Sequence, residues 1–237
     1  MDYGTPSRTT RENIFKLLIK ENEPIDICRA WMNDTSGLGL GLGSIKQICD
    51  DNDLLYIAFT RSTVDVLKLL LDTGADPTLL DRDDPLIYRV SRGLDDDNNY
   101  IMNWDGKIKL LLDNGANPNI HVKGTRTVLC NVITSSDPPF RTKEIFNVIE
   151  ILLRAGANPN TRCSCYSNKT PLDFSAQYKE ITFLLLRYGA IKYRLSIDHN
   201  NTNDHYRVTI RRVLIVCDMM LYMDKPDWIR EIKECLY

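Results

Sequence analysis

One phrase recurs along this chain and sets its architecture. It reads Leu69-Leu70-Leu71-Asp72-Thr73-Gly74-Ala75-Asp76-Pro77, then Leu110-Leu111-Leu112-Asp113-Asn114-Gly115-Ala116-Asn117-Pro118, then Ile151-Leu152-Leu153-Arg154-Ala155-Gly156-Ala157-Asn158-Pro159. A fourth segment, Leu184 to Ala190, repeats the first half. The glycines are spaced by 41, 41 and 33 residues, which marks stacked helical units rather than one closed globular fold. Locally the phrase predicts a helix whose apolar stripe packs on neighbours, a Gly that ends it in the left-handed conformation, and an extended arm enforced by Asx-Pro.

The opposite half of the unit is clearest at Asn168-Lys169-Thr170-Pro171-Leu172-Asp173-Phe174-Ser175-Ala176. Thr170 is suited to cap a helix whose first turn accepts Pro171. Asp53-Leu54-Leu55-Tyr56-Ile57-Ala58 stands in the same place 21 residues before Gly74, followed by an outer-helix stripe of Val64, Val66, Leu67, Leu70 and Leu71. Asp84-Pro85-Leu86-Ile87-Tyr88 and Thr127-Val128-Leu129-Cys130 are weaker copies.

Thr170-Pro171-Leu172-Asp173-Phe174-Ser175-Ala176 resembles the ankyrin signature Thr-Pro-Leu-His-x-Ala, with Asp173 in the His place, and the last glycine step is the ankyrin period. The resemblance to the ankyrin-repeat family covers roughly residues 53 to 190. It implies an all-α fold: an ankyrin-repeat solenoid of about four helix-pair units with hairpin loops, plus N- and C-terminal helical caps. The chain departs from the family pattern between the two helices of both middle units, each lengthened by about eight to ten residues. The first insertion, Arg92 to Trp104, is acidic with two aromatics; the second, Thr134 to Arg141, bears Pro138 and Pro139. The last unit is two residues short, which leaves open how its helices turn.

Residues 1–10 are expected as a disordered tail and 11–52 as an N-terminal helical cap with a Gly-rich loop. Within that cap, Arg11 to Lys20 reads as a helix with Ile14, Phe15, Leu17 and Leu18 on its apolar side, and a second helical stretch runs to Trp31. Residues 53–190 hold the repeats. Residues 191–237 follow as a C-terminal helical cap, where Arg207, Arg211 and Arg212 interleave with apolar positions and a last helix opens at Pro226.

With 30 basic against 32 acidic side chains and a formal charge of −2, the chain lacks the field that nucleic acid or an anionic membrane would require. The 43% hydrophobic content suffices for a buried core. Seven scattered cysteines do not form a secreted disulfide framework and read as reduced thiols. The start, Met1 to Arg8, has no apolar signal core, and Val213 to Cys217 is too short to span a bilayer. The expected location is cytoplasmic, in a cytosol or nucleus, and the Asn-x-Thr matches at Asn33, Asn168 and Asn200 are read as chance.

Other motifs give way to plain readings. Gly37-Leu38-Gly39-Leu40-Gly41-Leu42-Gly43-Ser44 lacks the Lys of a Walker loop and the spacing of a dinucleotide site, so it reads as a turn into a helix from Ile45 to Cys49. Cys163-Ser164-Cys165 has no His within metal-ligand spacing and reads as an exposed, reduced thiol pair at a hairpin tip. Asp95-Asp96-Asp97 lacks the closing Glu of a calcium loop and reads as a solvated loop face. Trp104 and Tyr100 beside it either anchor an interface or, for Trp104, pack at the start of the outer helix. No catalytic constellation, cofactor site or metal site is expected.

In the ankyrin family, hairpin tips and inner helices form a groove that grips another protein. Carried over by position, the tips are Leu79 to Asp83, His121 to Arg126 and Arg162 to Ser167. Candidate partner contacts are therefore Arg82, Asp83, His121, Lys123, Arg126, Arg162 and Tyr166, with Tyr100 and Trp104 from the first insertion. Irregular repeat lengths, degenerate helix signatures and Asn/Asp-rich loops resemble the ankyrin proteins of poxviruses. That resemblance implies a non-enzymatic scaffold that binds a host protein to block or redirect it, in host range or immune evasion. Longer members of that group end in an F-box-like segment recruiting a cullin ubiquitin ligase, to which Pro226-Asp227-Trp228-Ile229-Arg230-Glu231-Ile232 is not matched. A ligase substrate adaptor and a truncated member with little activity are the alternatives.

Overall fold

Four glycines close four helices in the same way. Gly74, Gly115, Gly156 and Gly189 adopt φ of 92°, 97°, 88° and 83°, a region that side chains with a Cβ avoid. Each glycine N–H donates to the carbonyl three residues back, and the following alanine N–H to the carbonyl five residues back. Gly115 thus bonds Leu112 at 3.0 Å and Ala116 bonds Leu111 at 3.0 Å, while Gly156 bonds Leu153 and Ala157 bonds Leu152. This paired closure satisfies helix-end carbonyls that would otherwise lack donors.

The computed structural model describes residues 7–33, 54–78, 80–81, 84–120, 126–135, 142–163, 169–175 and 178–190. They are mostly helical with almost no strand, so the fold is all-α. The chain divides into two compact units, Met1–Asn117 and Pro118–Tyr237, a division that falls inside the segment expected as one array. The Gly-rich turn with its following helix, the second insertion's tip and the 191–237 cap lie outside the described residues.

In the first unit, α1 (Arg8–Lys20) and α2 (Ile25–Asn33) are followed by α3 (Leu54–Arg61) and α4 (Val64–Asp72). Helix α1 starts three residues earlier than expected because the Ser7 hydroxyl accepts the Thr10 N–H, so positions 8 to 10 are helix and not tail. Phe15 and Ile19 face the core, whereas Leu17, expected on the apolar side, is 55% exposed. Helix α1 packs on α3 and α2 on α4. The Ser62 hydroxyl, at the α3–α4 turn, donates to Ile19 O at 2.5 Å and ties that turn to the end of α1.

A two-residue antiparallel pair, β1 (Leu80–Asp81) and β2 (Asp84–Pro85), leads into α5 (Leu86–Arg89) and a 3₁₀ turn, Val90–Arg92. The outer helix α6 (Trp104–Asp113) packs on α4. Its buried stripe is Trp104, Lys107, Ile108 and Leu111. Lys107 is the exception in that list: its Nζ donates to Phe59 O at 2.7 Å, in the last turn of α3, where carbonyls lack helical donors. Burial pushes its pKa down to about 8.

The second unit holds α7 (Val128–Thr134), α8 (Thr142–Arg154), α9 (Pro171–Phe174) and α10 (Lys179–Arg187). Helix α7 packs on α8 and α9, and α10 on α8 and α9. Thr127 caps α7 by accepting the Cys130 N–H, and Thr170 caps α9 in a full capping box, with Asp173 Oδ2 accepting the Thr170 N–H at 2.8 Å. The shortened turn between α9 and α10 is fastened by Thr182, whose hydroxyl donates to Ser175 O at 2.9 Å.

Asparagines directly after each Asn-Pro in this unit tie the segment that precedes a helix pair to the loop that closes the same pair. Asn119 Nδ2 donates to Gly156 O at 2.8 Å and its Oδ1 accepts the Asn158 N–H at 2.7 Å. Asn160 Nδ2 repeats the contact at Gly189 O, again at 2.8 Å. In the first unit Thr78 holds the equivalent position and instead bonds locally to Asp76 Oδ1.

Candidate functional site

In the first unit the insertion between α5 and α6 is an ordered hairpin. Gly93 takes φ 69° to leave the 3₁₀ turn, Leu94 bridges Tyr100, and the Ile101 N–H donates to Gly93 O at 3.0 Å. Asp95 organises the turn: its Oδ1 accepts the N–H of Asp97 at 3.0 Å and of Asn99 at 2.8 Å, and its Oδ2 meets Arg61 at 3.2 Å. Burial pushes the Asp95 carboxyl up, but the Asn99 N–H and amide, Arg61 and the Asp97 N–H outweigh it and hold the pKa below its ordinary value.

The acidic run is therefore not a uniformly solvated face, as its composition suggested. Asp95 is buried, while Asp97 pairs with Arg61 at 2.6 Å and Asp96 with Arg89 at 2.5 Å. The Arg89 guanidinium lies 3.5 Å from the centre of the Tyr56 ring. Burial first, then the nearby Asp96 carboxylate, pushes the tyrosine up to about 12. Two arginines thus pin the insertion to α3 and α5.

The pinned hairpin presents Tyr100, 47% exposed, and Met102, 74% exposed. Asn103 follows with φ 50°, an uncommon conformation for a residue bearing a Cβ, and turns the chain into α6. Trp104, expected as a candidate contact, is not on this surface. It is 0% exposed and its Nε1 donates to Val90 O at 3.0 Å, so its ring packs the inner and outer halves of the pair together. Met102 was not singled out in the sequence.

In the second unit a basic patch gathers around Phe174. Arg126 lies 5.6 Å and Lys169 5.9 Å from the ring centre, distances at which a cation is held by the ring face. Arg126 is half-buried along α7, with NH1 donating to Thr134 Oγ1 at 2.7 Å. Arg162 is exposed and adjoins Cys163, whose N–H donates to Lys169 O at 2.9 Å, so the chain on both sides of this tip returns to the patch. Lys169 and Phe174 were missed in the sequence because they were read only as flanks of a cap.

Cys163 is not an exposed tip thiol. It is fully buried, as is Cys130 on α7, and both are free thiols. Arg82, Asp83, His121, Lys123 and Tyr166 lie outside the described residues. Among the described residues no helix is long and apolar enough to cross a membrane. No protein-family model matches this chain, and no curated protein is significantly similar to it.

Proposed function

We propose that the chain is an ankyrin-repeat interaction module of the kind poxviruses use against host proteins, a non-enzymatic scaffold in the cytosol that occupies a host protein's surface. The observation that supports it is the fourfold recurrence of one helix ending, with left-handed Gly74, Gly115, Gly156 and Gly189 followed by buried Ala75, Ala116, Ala157 and Ala190. The Asn119 and Asn160 bonds fit the same reading, because the same asparagine contact recurs at the same place in two successive units. Contacts are assigned to Tyr100 and Met102 on the pinned hairpin, to Arg126 and Lys169 around Phe174, and to the exposed Arg162.

Affinity purification of the tagged chain from mammalian cytosol, beside a chain ending at Ala190, tests the proposal. Host proteins retained by both and lost on Tyr100→Ala with Met102→Ala, or on Arg126→Ala with Lys169→Ala, are expected. A cullin-ligase component lost with the shortened chain would replace the blocking scaffold by a substrate adaptor. No specific partner on either would sink both.

A further inference from the structure

The formal charge of −2 hides a local imbalance. Positions 114–136 and 151–172 carry no Asp or Glu, yet they hold Lys123, Arg126, Arg154, Arg162 and Lys169. They include the segments that lead into α7 and α9 of the second unit, and the fold gathers cations from both. Arg126, two residues before α7, and Lys169, two residues before α9, stand 5.6 Å and 5.9 Å from the centre of the one Phe174 ring. Arg126 is held there by its NH1 bond to Thr134 Oγ1 at 2.7 Å, so its charge keeps its place. The antiparallel bridge between Cys163 and Lys169 carries exposed Arg162, the residue before Cys163, alongside exposed Lys169. Like charges brought together in this way repel unless an anion joins them. Asp173, the acid nearest to Lys169 along the chain, has its Oδ2 committed to the Thr170 N–H and hydroxyl at 2.8 Å and 2.9 Å. Among the described residues Lys169 has no ion pair.

We propose that this patch docks an acidic segment of the partner protein, with Asp or Glu carboxylates seated on Lys169 and Arg162 and Arg126 standing behind them as a fixed charge. The assignment rests on the chain being an interaction module and narrows the chemistry of what the second unit takes. Charge complementarity selects the occupant, because the two acid-free stretches offer cations on neighbouring segments and no carboxylate of their own to compete. A single-stranded nucleic acid is disfavoured, since Arg126 and Lys169 already occupy the Phe174 ring on which a base would stack. Lys169 and Arg162 are exposed, so the attraction acts across water and weakens with salt.

The test is fluorescence anisotropy of a labelled octaglutamate peptide titrated with the full chain, beside octalysine and an oligothymidylate of equal length. Octaglutamate should bind in preference to both, and its affinity should fall about tenfold as salt rises from about 50 to about 300 mM. Lys169→Glu or Arg162→Glu should each weaken it about five- to tenfold, while Lys169→Arg retains it. Both substituted side chains are exposed, and circular dichroism checks that each variant is folded. Tyr100→Ala with Met102→Ala, on the hairpin of the first unit, should leave the affinity unchanged. No octaglutamate binding at about 50 mM salt, equal affinity for Lys169→Glu and wild type, or tighter binding of oligothymidylate would each overturn the acidic occupant. Host-protein capture reads separately. Partners lost on Arg126→Ala with Lys169→Ala from a chain that ignores octaglutamate would keep the interaction module and sink only the acidic occupant, and octaglutamate binding without any captured host protein would do the reverse.

Discussion

Lys107→Met puts the strangest residue of the core to a quantitative test. The side chain is 1% exposed and donates to Phe59 O, and burial moves its pKa from 10.5 down to about 8. Between those values the unfolded chain holds a proton that the folded chain has released, so unfolding takes up a proton and stability rises with pH. The contribution is fully present above pH 10.5 and is lost as pH falls through 8. At pH 7 the buried ammonium costs about 3 kcal/mol against its neutral form, and between pH 7 and 10 roughly 2–3 kcal/mol of that is recovered.

Methionine keeps the stem and removes both charge and donor. It leaves Phe59 O unsatisfied at a cost of about 1–3 kcal/mol at every pH. Near pH 7 that loss and the relief of the buried charge offset each other, so variant and wild type should unfold within about 1 kcal/mol. At pH 10 the relief is mostly gone and the variant should be weaker by about 1–3 kcal/mol. Urea unfolding followed by circular dichroism under reducing conditions, from pH 7 to 10, measures the difference directly. Tyr56, with its pKa pushed up to about 12, works in the opposite direction but is common to both proteins and cancels. A difference that stays flat across this range would refute a depressed lysine in the folded state.

Further outcomes follow from the contacts. Asp95→Ala removes the acceptor for two backbone N–H groups and Arg61 and should cost about 2–4 kcal/mol in urea unfolding, whereas exposed Asp97→Ala should cost under about 1 kcal/mol. Because the Asp95 pKa is lowered in the fold from 3.8, its stabilisation is present above that value and disappears as pH falls; the protection factors of the Asp97 and Asn99 amides should fall in acid before those of α6 do. Asn119→Ala breaks two bonds to the loop that closes α8 and Asn160→Ala a bond to the Gly189 carbonyl after α10, so thermal melts should show each variant destabilised, by about 1 kcal/mol. Leu70→Ala or Leu152→Ala, both fully buried, should destabilise by about 2–5 kcal/mol, while Tyr100→Ala and Met102→Ala leave the melting temperature unchanged and act only on partner capture.

The helix endings were legible because their causes are local: Gly-Ala after a leucine run needs only its own turn to close. The Thr170 cap was legible for the same reason, although Asp173, which closes it into a capping box, was read only as a signature position. What escaped the sequence depends on residues far apart along the chain. Asp95 looked like one of three solvated acids until Arg61 was brought against it, and Trp104 could be assigned to surface or core only once Val90 O was seen to accept its N–H. Cys163 was read with its neighbour Cys165 as an exposed tip thiol, when the packing around it leaves it no exposed surface.

Lys107 shows where a stricter reading of the pattern would have helped. It stands three residues after Trp104 and four before Leu111, on the helical face that the leucine phrase buries. A lysine on that stripe must either reach water or find an acceptor inside, and the end of α3 supplies one. The same logic separates the parts of this protein that can vary from those that cannot. Substitutions on the insertion's outer side alter Tyr100 and Met102 without touching the Arg61 and Arg89 contacts that hold it. The surface best suited to recognition therefore rests on a base that does not depend on it.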